Sequence, residues 1–235
     1  MIGIIGALDI EVKDIISEMD NPTTKTFGQL HFTSGRIGKT DCVVAKCGIG
    51  KVNAAVCTQT MILNYSPDMI INTGIAGSTC EKTHIGSVVI ADRVVQHDFD
   101  TTILGDEAGT LFLPEGNIIY IPADAGTVQE LEAACSGLED VDYTIGTVAT
   151  GDQFIGTLPA RRAINDRFSA VACEMEGGSI AQVCYINKIP FCILRSISDD
   201  SSGDEGAHVE YEIFSRSAAQ KAVEIICAFI KETKQ

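Results

Sequence analysis

The sequence predicts an α/β protein whose largely parallel or mixed sheet is covered by helices on both faces, and three observations carry that expectation. Short apolar runs of strand length alternate with segments of helical periodicity along the whole chain. The best strand candidates, such as Met69-Ile70-Ile71-Asn72 between Pro67 and Gly74, are nearly continuous apolar stretches, as expected for strands buried on both faces. The 235 residues, 45% apolar and 21% charged, contain no repeat, low-complexity tract or linker. That length supports one sizeable core, so a single domain over 1–235 is expected.

The elements follow in order. Met1 to Ala7 reads as a strand, and Ile10, Ile15, Ile16 and Met19 mark the helix after it. Leu30 to Ile37 and Cys42 to Cys47 read as strands of a hairpin turning over Gly38-Lys39-Thr40-Asp41. Gly48-Ile49-Gly50 leads into a helix over Lys51 to Tyr65, apolar at every third or fourth position. Strands are predicted from Met69 and over Gly86 to Val95. From Phe99 to Gly116 the periodicity is lost, and Gly105, Gly109, Pro114 and Gly116 mark a long excursion of the kind that often carries function. The alternation then resumes: helix Ala123 to Leu138, strand Tyr143 to Ala149, polar loop Gly151 to Phe154, helix Leu158 to Phe168 and strand Ala170 to Cys173. Helix Glu176 to Asn187, strand Phe191 to Ile197, an acidic loop Asp199 to Glu205 and a closing helix from Glu210 to Ile230 complete it.

Seventeen basic against 32 acidic residues leave a net charge of −15. A field of that sign repels nucleic-acid phosphates and anionic lipid head groups, so neither nucleic acid nor membrane is an expected partner. The N-terminal apolar run has no basic leader and meets Asp9 and Glu11 at once, unlike a signal peptide, and no apolar run reaches the ~18 residues of a membrane span. Nine cysteines lie scattered in apolar segments without a C-x-x-C pair, which reads as reduced core thiols of a cytoplasmic protein. The four histidines are dispersed and only His97-Asp98 sets two ligand types together, so no metal and no cofactor are expected.

In α/β sheets, sites form beyond the carboxyl ends of strands, which directs attention to four places. These are Glu11 after the first strand, Asn72 to Ser78, Cys173-Glu174-Met175-Glu176, and Arg195 to Asp200. If their strands are neighbours, several carboxylates and one arginine converge, the equipment of acid-assisted glycoside cleavage. Blander readings stand beside this one: Asp9 and Glu11, or Glu174 and Glu176, could simply complement helix N-termini. A near-buried Arg195 asks for a carboxylate or a ligand hydroxyl. The two glycine motifs are weak. Gly48-Ile49-Gly50 has Asn53 where a dinucleotide fingerprint needs its third glycine, and Thr73-Gly74-Ile75-Ala76-Gly77 lacks the Lys-Ser/Thr pair of a P-loop, leaving it as a tight turn.

Taken together, IGIIGALDIEV, CGIGKVNAA, PDMIINTGIAGS, TGDQFI, CEMEGGSIAQVC and PFCILRSISD occur in the order and spacing of one family, from Ile2 to Ile230. The chain resembles the 5′-methylthioadenosine/S-adenosylhomocysteine nucleosidases of the nucleoside phosphorylase superfamily. The resemblance implies a phosphorylase/hydrolase-like fold, a three-layer α/β/α sandwich around a mixed, partly barrel-like sheet, acting as a homodimer. It implies hydrolysis of the N-glycosidic bond of methylthioadenosine or S-adenosylhomocysteine, with 5′-deoxyadenosine a further candidate substrate.

By matching positions, the resemblance makes Asp199 the general acid toward N7 of adenine, with Ser198 beside it, and Glu11 the base that orients the attacking water. It makes Glu176 the carboxylate facing the ribose hydroxyls and the cationic sugar, and puts Arg195 beside water and sugar. Met175 packs on the ribose, Phe154 stacks on adenine and the Ile155 backbone meets the adenine edge. Leu8, Ile49 and Tyr211 lie near the sugar and its 5′ substituent, and Glu174, Ile75 and Gly77 complete the substrate-binding set. The excursion from His97 to Pro114, with Leu104 and Pro114, reaches into the partner's site, so Ile103, Leu104, Leu111, Phe112 and Leu113 are expected to form an interface stripe. Such an acid needs burial or neighbouring acids to keep it protonated, and Asp200 is one candidate neighbour.

Three positions depart from the family pattern: Ile75 for serine, Leu8 for methionine and Tyr211 for phenylalanine. The alternatives are a purine nucleoside phosphorylase and a non-catalytic nucleoside-binding protein. A phosphorylase would need arginines for phosphate, yet Asn72 and Glu11 stand where they would be wanted.

Overall fold

The computed structural model describes residues 1–200 and 207–232. The apolar run at the N-terminus forms β1 (Ile2–Gly6), which lies between β4 (Thr40–Lys46) and β5 (Met69–Ser78) and parallel to both. β5 pairs in parallel with β12 (Phe191–Asp199), and β12 pairs antiparallel with β6 (Val88–Gln96). Beyond β6 come β10 (Tyr143–Thr150) and β11 (Ala170–Glu174), each parallel to its predecessor. β11 then turns back on β5, pairing Ala172 with Ser78 and Cys173 with Gly77. The strands β5, β12, β6, β10 and β11 therefore close into a ring, while β1 and β4 extend from it as an open arm. Register shifts at Gly146/Thr147 in β10 and at Ile197/Asp199 in β12 supply the local bending that closure requires.

Period-two alternation explains the three layers. Ile4, Ile71 and Leu194 face a core shared with α1 (Asp9–Ser17), α3 (Ala125–Gly137) and α6 (Ala207–Glu232). Their chain neighbours Ile5, Ile70 and Ile193 face a second core, closed by α2 (Lys51–Tyr65) and α5 (Gly177–Asn187). Each of these isoleucines is fully buried, worth about 2 kcal/mol apiece by area. α4 (Leu158–Phe168) covers a third, smaller cluster around Val95, Ala149 and Phe168. This is the mixed, partly barrel-like α/β/α sandwich implied by the resemblance.

Several local expectations need correction. Asp20–Phe27 forms β2, antiparallel to β3 (Leu30–Ile37), although DNPTTKTF has no apolar alternation. This strand is exposed on both sides, so nothing selected the pattern that marks strands. The β3–β4 hairpin turns on Gly38-Lys39 alone, because Thr40 and Asp41 already pair with Ile37 and Arg36. Asn72 to Ser78 is no turn: it is the second half of β5, hydrogen-bonded to β12 up to Gly77. Asp199 likewise ends β12 rather than opening a loop, and Ser201 to Glu205 lie outside the described residues.

The excursion holds a 3-10 turn at Thr102–Leu104 and a hairpin of β7 (Leu111–Leu113) and β8 (Gly116–Ile118). β9 (Ile121–Pro122) then pairs with β6. Leu111 is buried in the protein's own core and so leaves the expected interface stripe, while Leu113 packs partly buried against that core. Ile103, Leu104, Phe112 and Pro114 remain exposed. Among the described residues, no helix is long and apolar enough to cross a membrane.

Candidate active site

The four polar segments that follow apolar runs meet in one cavity of about 500 Å³. It is lined by Leu8, Glu11, Ile49, Ile75, Gly77, Phe154, Glu174, Met175, Glu176, Ser198, Asp199 and Tyr211. Ile155 faces a smaller chamber beside it, bounded by Gly77, Phe154, Met175, Arg161 and Asp199. Arg195 lies fully buried behind the carboxylates. Leu104 and Pro114 of the excursion do not line the cavity within this chain.

Glu11 sits in the first turn of α1, and the helix-capping reading is correct as far as it goes. Its Oε2 accepts the Ala7 and Leu8 N–H groups at 2.6 and 2.9 Å. Its Oε1 reaches across to the Ile75 N–H at 3.1 Å, which draws the carboxyl to the cavity wall. Burial raises its pKa, against the opposing pull of Arg195 and these amides.

Glu174 and Glu176 flank the start of α5 and play different parts. Glu174 Oε2 accepts the Glu176 and Gly177 N–H groups at 3.0 and 2.7 Å, and also binds Arg195 Nη2 in a buried ion pair. Thr150 Oγ1–H donates to its other oxygen. Burial opposes its charge, but Arg195 and these donors outweigh burial and hold the pKa below the usual carboxylate range. Among the described residues, Glu176 receives the Gly50 N–H alone, at 2.8 Å. Burial, and after it the neighbouring Glu174 charge, push its pKa up to about 8. One arginine thus neutralises one carboxylate, and the two left over hold their protons more tightly.

Arg195 also donates to Asn72 Oδ1, while Asn72 gives its own amide to the Ile5 carbonyl at 2.8 Å. The burial of Arg195 is answered by Glu174, Glu176 and Glu11 together, which keep its pKa raised. Asn72 is therefore a support for the arginine rather than a ligand-facing group.

At the other end of the cavity, Asp199 accepts the Ser198 Oγ–H on Oδ1 at 2.6 Å. Its Oδ2 pairs with Arg161 of α4. Arg161, 1% exposed, is a residue that sequence reasoning missed, as are His208 and Glu212 of α6 on the cavity wall. In ARRAIN the first arginine looks like an ordinary surface helix position, and no local pattern shows its partner 38 residues away. Asp200, next in the chain, gives its backbone N–H to Glu210 Oε2 at 3.0 Å. Phe154 and Tyr211 meet edge to face, 5.7 Å between ring centres, over the cavity mouth. The Asp98–Lys51 pair at 2.6 Å, with Asp98 also accepting the Asp152 N–H, ties the Phe154 loop to the start of α2.

Comparison with known proteins identifies the family. The sequence profile of the Phosphorylase superfamily matches residues 1–231. The 5′-methylthioadenosine/S-adenosylhomocysteine nucleosidase of Shewanella halifaxensis is 36% identical over 232 residues, covering 98% of this chain and 99% of that protein. Among solved structures, the nucleosidase of the same name from Neisseria meningitidis, in complex with methylthio-immucillin-A, superposes with a TM-score of 0.92. It is 30% identical, with 99% of each chain covered. A futalosine hydrolase mutant from Helicobacter pylori superposes at 0.91 with 29% identity, again over 99% of each chain. The chain belongs to the phosphorylase superfamily and, within it, to the 5′-methylthioadenosine/S-adenosylhomocysteine nucleosidases.

Proposed function

We propose that this protein hydrolyses the N-glycosidic bond of 5′-methylthioadenosine and S-adenosylhomocysteine, releasing adenine and the 5-substituted ribose, within a single domain spanning 1–235. The observation that carries this reading is the convergence of Glu11, Glu176 and Asp199 on one cavity, with Arg195 already committed to Glu174. Departure of adenine leaves positive charge on the sugar, and groups that stabilise that charge more than the neutral ground state lower the barrier. Asp199 delivers the proton to N7. Glu176 faces the ribose hydroxyls and the cationic ring. Glu11, fixed by three backbone amides and made more basic by burial, holds the attacking water.

Ionisation of Glu176 and charge development on the sugar reinforce each other. Burial and the Glu174 charge push the Glu176 pKa up to about 8, and a cation beside it favours the ionised form. Phosphorolysis is disfavoured by the same arrangement. An attacking phosphate would need an unpaired cation, but Arg195 is spent on Glu174 and Asn72, and Glu11 would repel the anion.

In this reading the active unit is a homodimer. Ile103 and Leu104 are 93% and 78% exposed, too apolar and too prominent to face water unaided, and Leu104 and Pro114 then complete the partner's pocket. The nine unpaired cysteines, all buried except Cys80, suit a cytoplasmic location.

The test is chromatographic detection of adenine after incubation with methylthioadenosine, with and without phosphate. Equal release in both, with the free sugar as product, is expected. A strict need for phosphate and a ribose 1-phosphate product would assign a phosphorylase instead.

A further inference from the structure

Arg161 is a buried cation that this reaction scheme leaves unused. It sits in the N-terminal half of α4, the end at which a helix disfavours positive charge, so local structure does not explain it. Four of its guanidinium N–H donors are accounted for. Nε–H goes to the Ile155 carbonyl at 2.8 Å, and Nη1 donates to the carbonyls of Ser78 at 3.0 Å and Asp199 at 2.8 Å. Nη2 makes the ion pair with Asp199 Oδ2. Room for this fork exists only because residue 77 is glycine: a β-carbon there would stand 2.7 Å from Nη2.

Two of the groups it holds are the Asp199 carboxyl, the acid of the reaction proposed above, and the Ile155 backbone, which the family resemblance puts at the adenine edge, and both bound the small chamber beside the main cavity. With Oδ2 on Arg161 and Oδ1 on Ser198, the Asp199 carboxyl cannot rotate. Each oxygen has one lone pair taken, so a proton on the carboxyl is confined to the two that remain, both in a plane whose orientation these partners fix. We propose that Arg161 is a positioning residue for adenine departure, acting through Asp199 and fixing the Ile155 carbonyl in the same rigid fork. A lysine would keep the charge but lose the planar fork that spans four acceptors. The inference rests on the role of Asp199 as the acid.

The experiment is a double-mutant cycle on methylthioadenosine turnover, with thermal melts of every variant. Arg161→Met should lower kcat about 100-fold in the native background, the size of a lost general-acid effect, and change KM much less. In an Asp199→Asn background the same substitution should cost less than about threefold, because the group it positions is already disabled. Arg161→Lys provides the same cycle if Arg161→Met fails to fold, with a loss of about tenfold that again vanishes beside Asp199→Asn. Equal losses in both backgrounds, tracking melting temperature, would make Arg161 a structural tie and overturn the proposal, as would native kcat in Arg161→Lys. An Asp199→Asn enzyme with full activity would remove the acid role itself, and this inference with it.

Discussion

Glu11 occupies the space that a side chain on residue 74 would need. A β-carbon on Gly74 would lie 2.5 Å from Glu11 Oε1 and 3.1 Å from Arg195 Nη1. The absence of a side chain in the middle of β5 is what lets the carboxyl cross from α1 and receive the Ile75 N–H.

Gly74→Ala should therefore displace Glu11 and its neighbour while leaving the strand pairing intact. A misplacement of about 1 Å near reacting atoms costs on the order of 100-fold, and that loss is expected in kcat/KM for methylthioadenosine. Steady-state kinetics beside a circular-dichroism melt provides the check; near-native kinetics would show that Glu11 does not position the nucleophile.

Asp199→Asn should lose roughly 100- to 10,000-fold in turnover while retaining nucleoside binding, since an amide can hydrogen-bond but cannot supply the proton. Calorimetric titration with methylthioadenosine, paired with rate measurements, separates the two properties. An unimpaired variant removes Asp199 from the chemistry.

Glu176 makes stability pH-dependent with a definite sign. Its carboxyl titrates near 4.5 when unfolded and at about 8 in the folded protein, so between these values the folded state binds more protons. Its contribution is fully present below about pH 4.5 and declines as pH rises toward 8. Glu176→Gln should flatten that decline and raise the melting temperature at pH 8, as thermal melts from pH 5 to 9 will reveal. A nucleoside analogue with a cationic ring in place of the sugar should bind more tightly as pH rises toward 8, by up to about tenfold per unit, while its neutral counterpart shows no such trend. Parallel behaviour of the two ligands would place the cation away from Glu176.

Ile75 contributes its backbone to Glu11, but the β5–β12 register pairs residue 75 with Ser196 and residue 74 with Arg195, so its side chain points to the opposite face from Arg195. If a hydroxyl at this position helps hold water, Ile75→Ser raises kcat on methylthioadenosine with little change in KM. If Ile75 packs on the 5′ substituent, the substitution weakens binding of the preferred substrate and leaves its kcat nearly constant. Kinetics on methylthioadenosine, S-adenosylhomocysteine and 5′-deoxyadenosine distinguishes these outcomes, and no change on any of them makes the position neutral.

Much of the site was legible because its residues follow strong local signals. Glu11, Glu176 and Arg195 each lie in or just beyond an apolar run, and strand ends in α/β sheets are where ligands bind. Glu11 and Glu174 also show that the bland and the functional readings need not compete. Each caps a helix through one oxygen, and the geometry of that cap is what aims it at the cavity or at Arg195. The excursion was legible only as an irregularity, since Leu111 and Phe112 are equally apolar yet one is buried and the other exposed.

The sequence by itself determined the α/β class, most of the strands and helices, and the net acidic charge. Each of these depends on periodicity or composition within a few residues, which report how one element is buried. Only the tertiary structure decided that β2 exists, that β11 closes the ring on β5, that Gly74 and Gly77 admit Glu11 and Arg161, and that Arg161 pairs with Asp199. The edge strand β2 is exposed on both sides and so carries no hydrophobic pattern. The other relationships join segments far apart in the chain, through sheet register and two local shifts in β10 and β12, and a register is a property of two strands together that neither one's sequence contains.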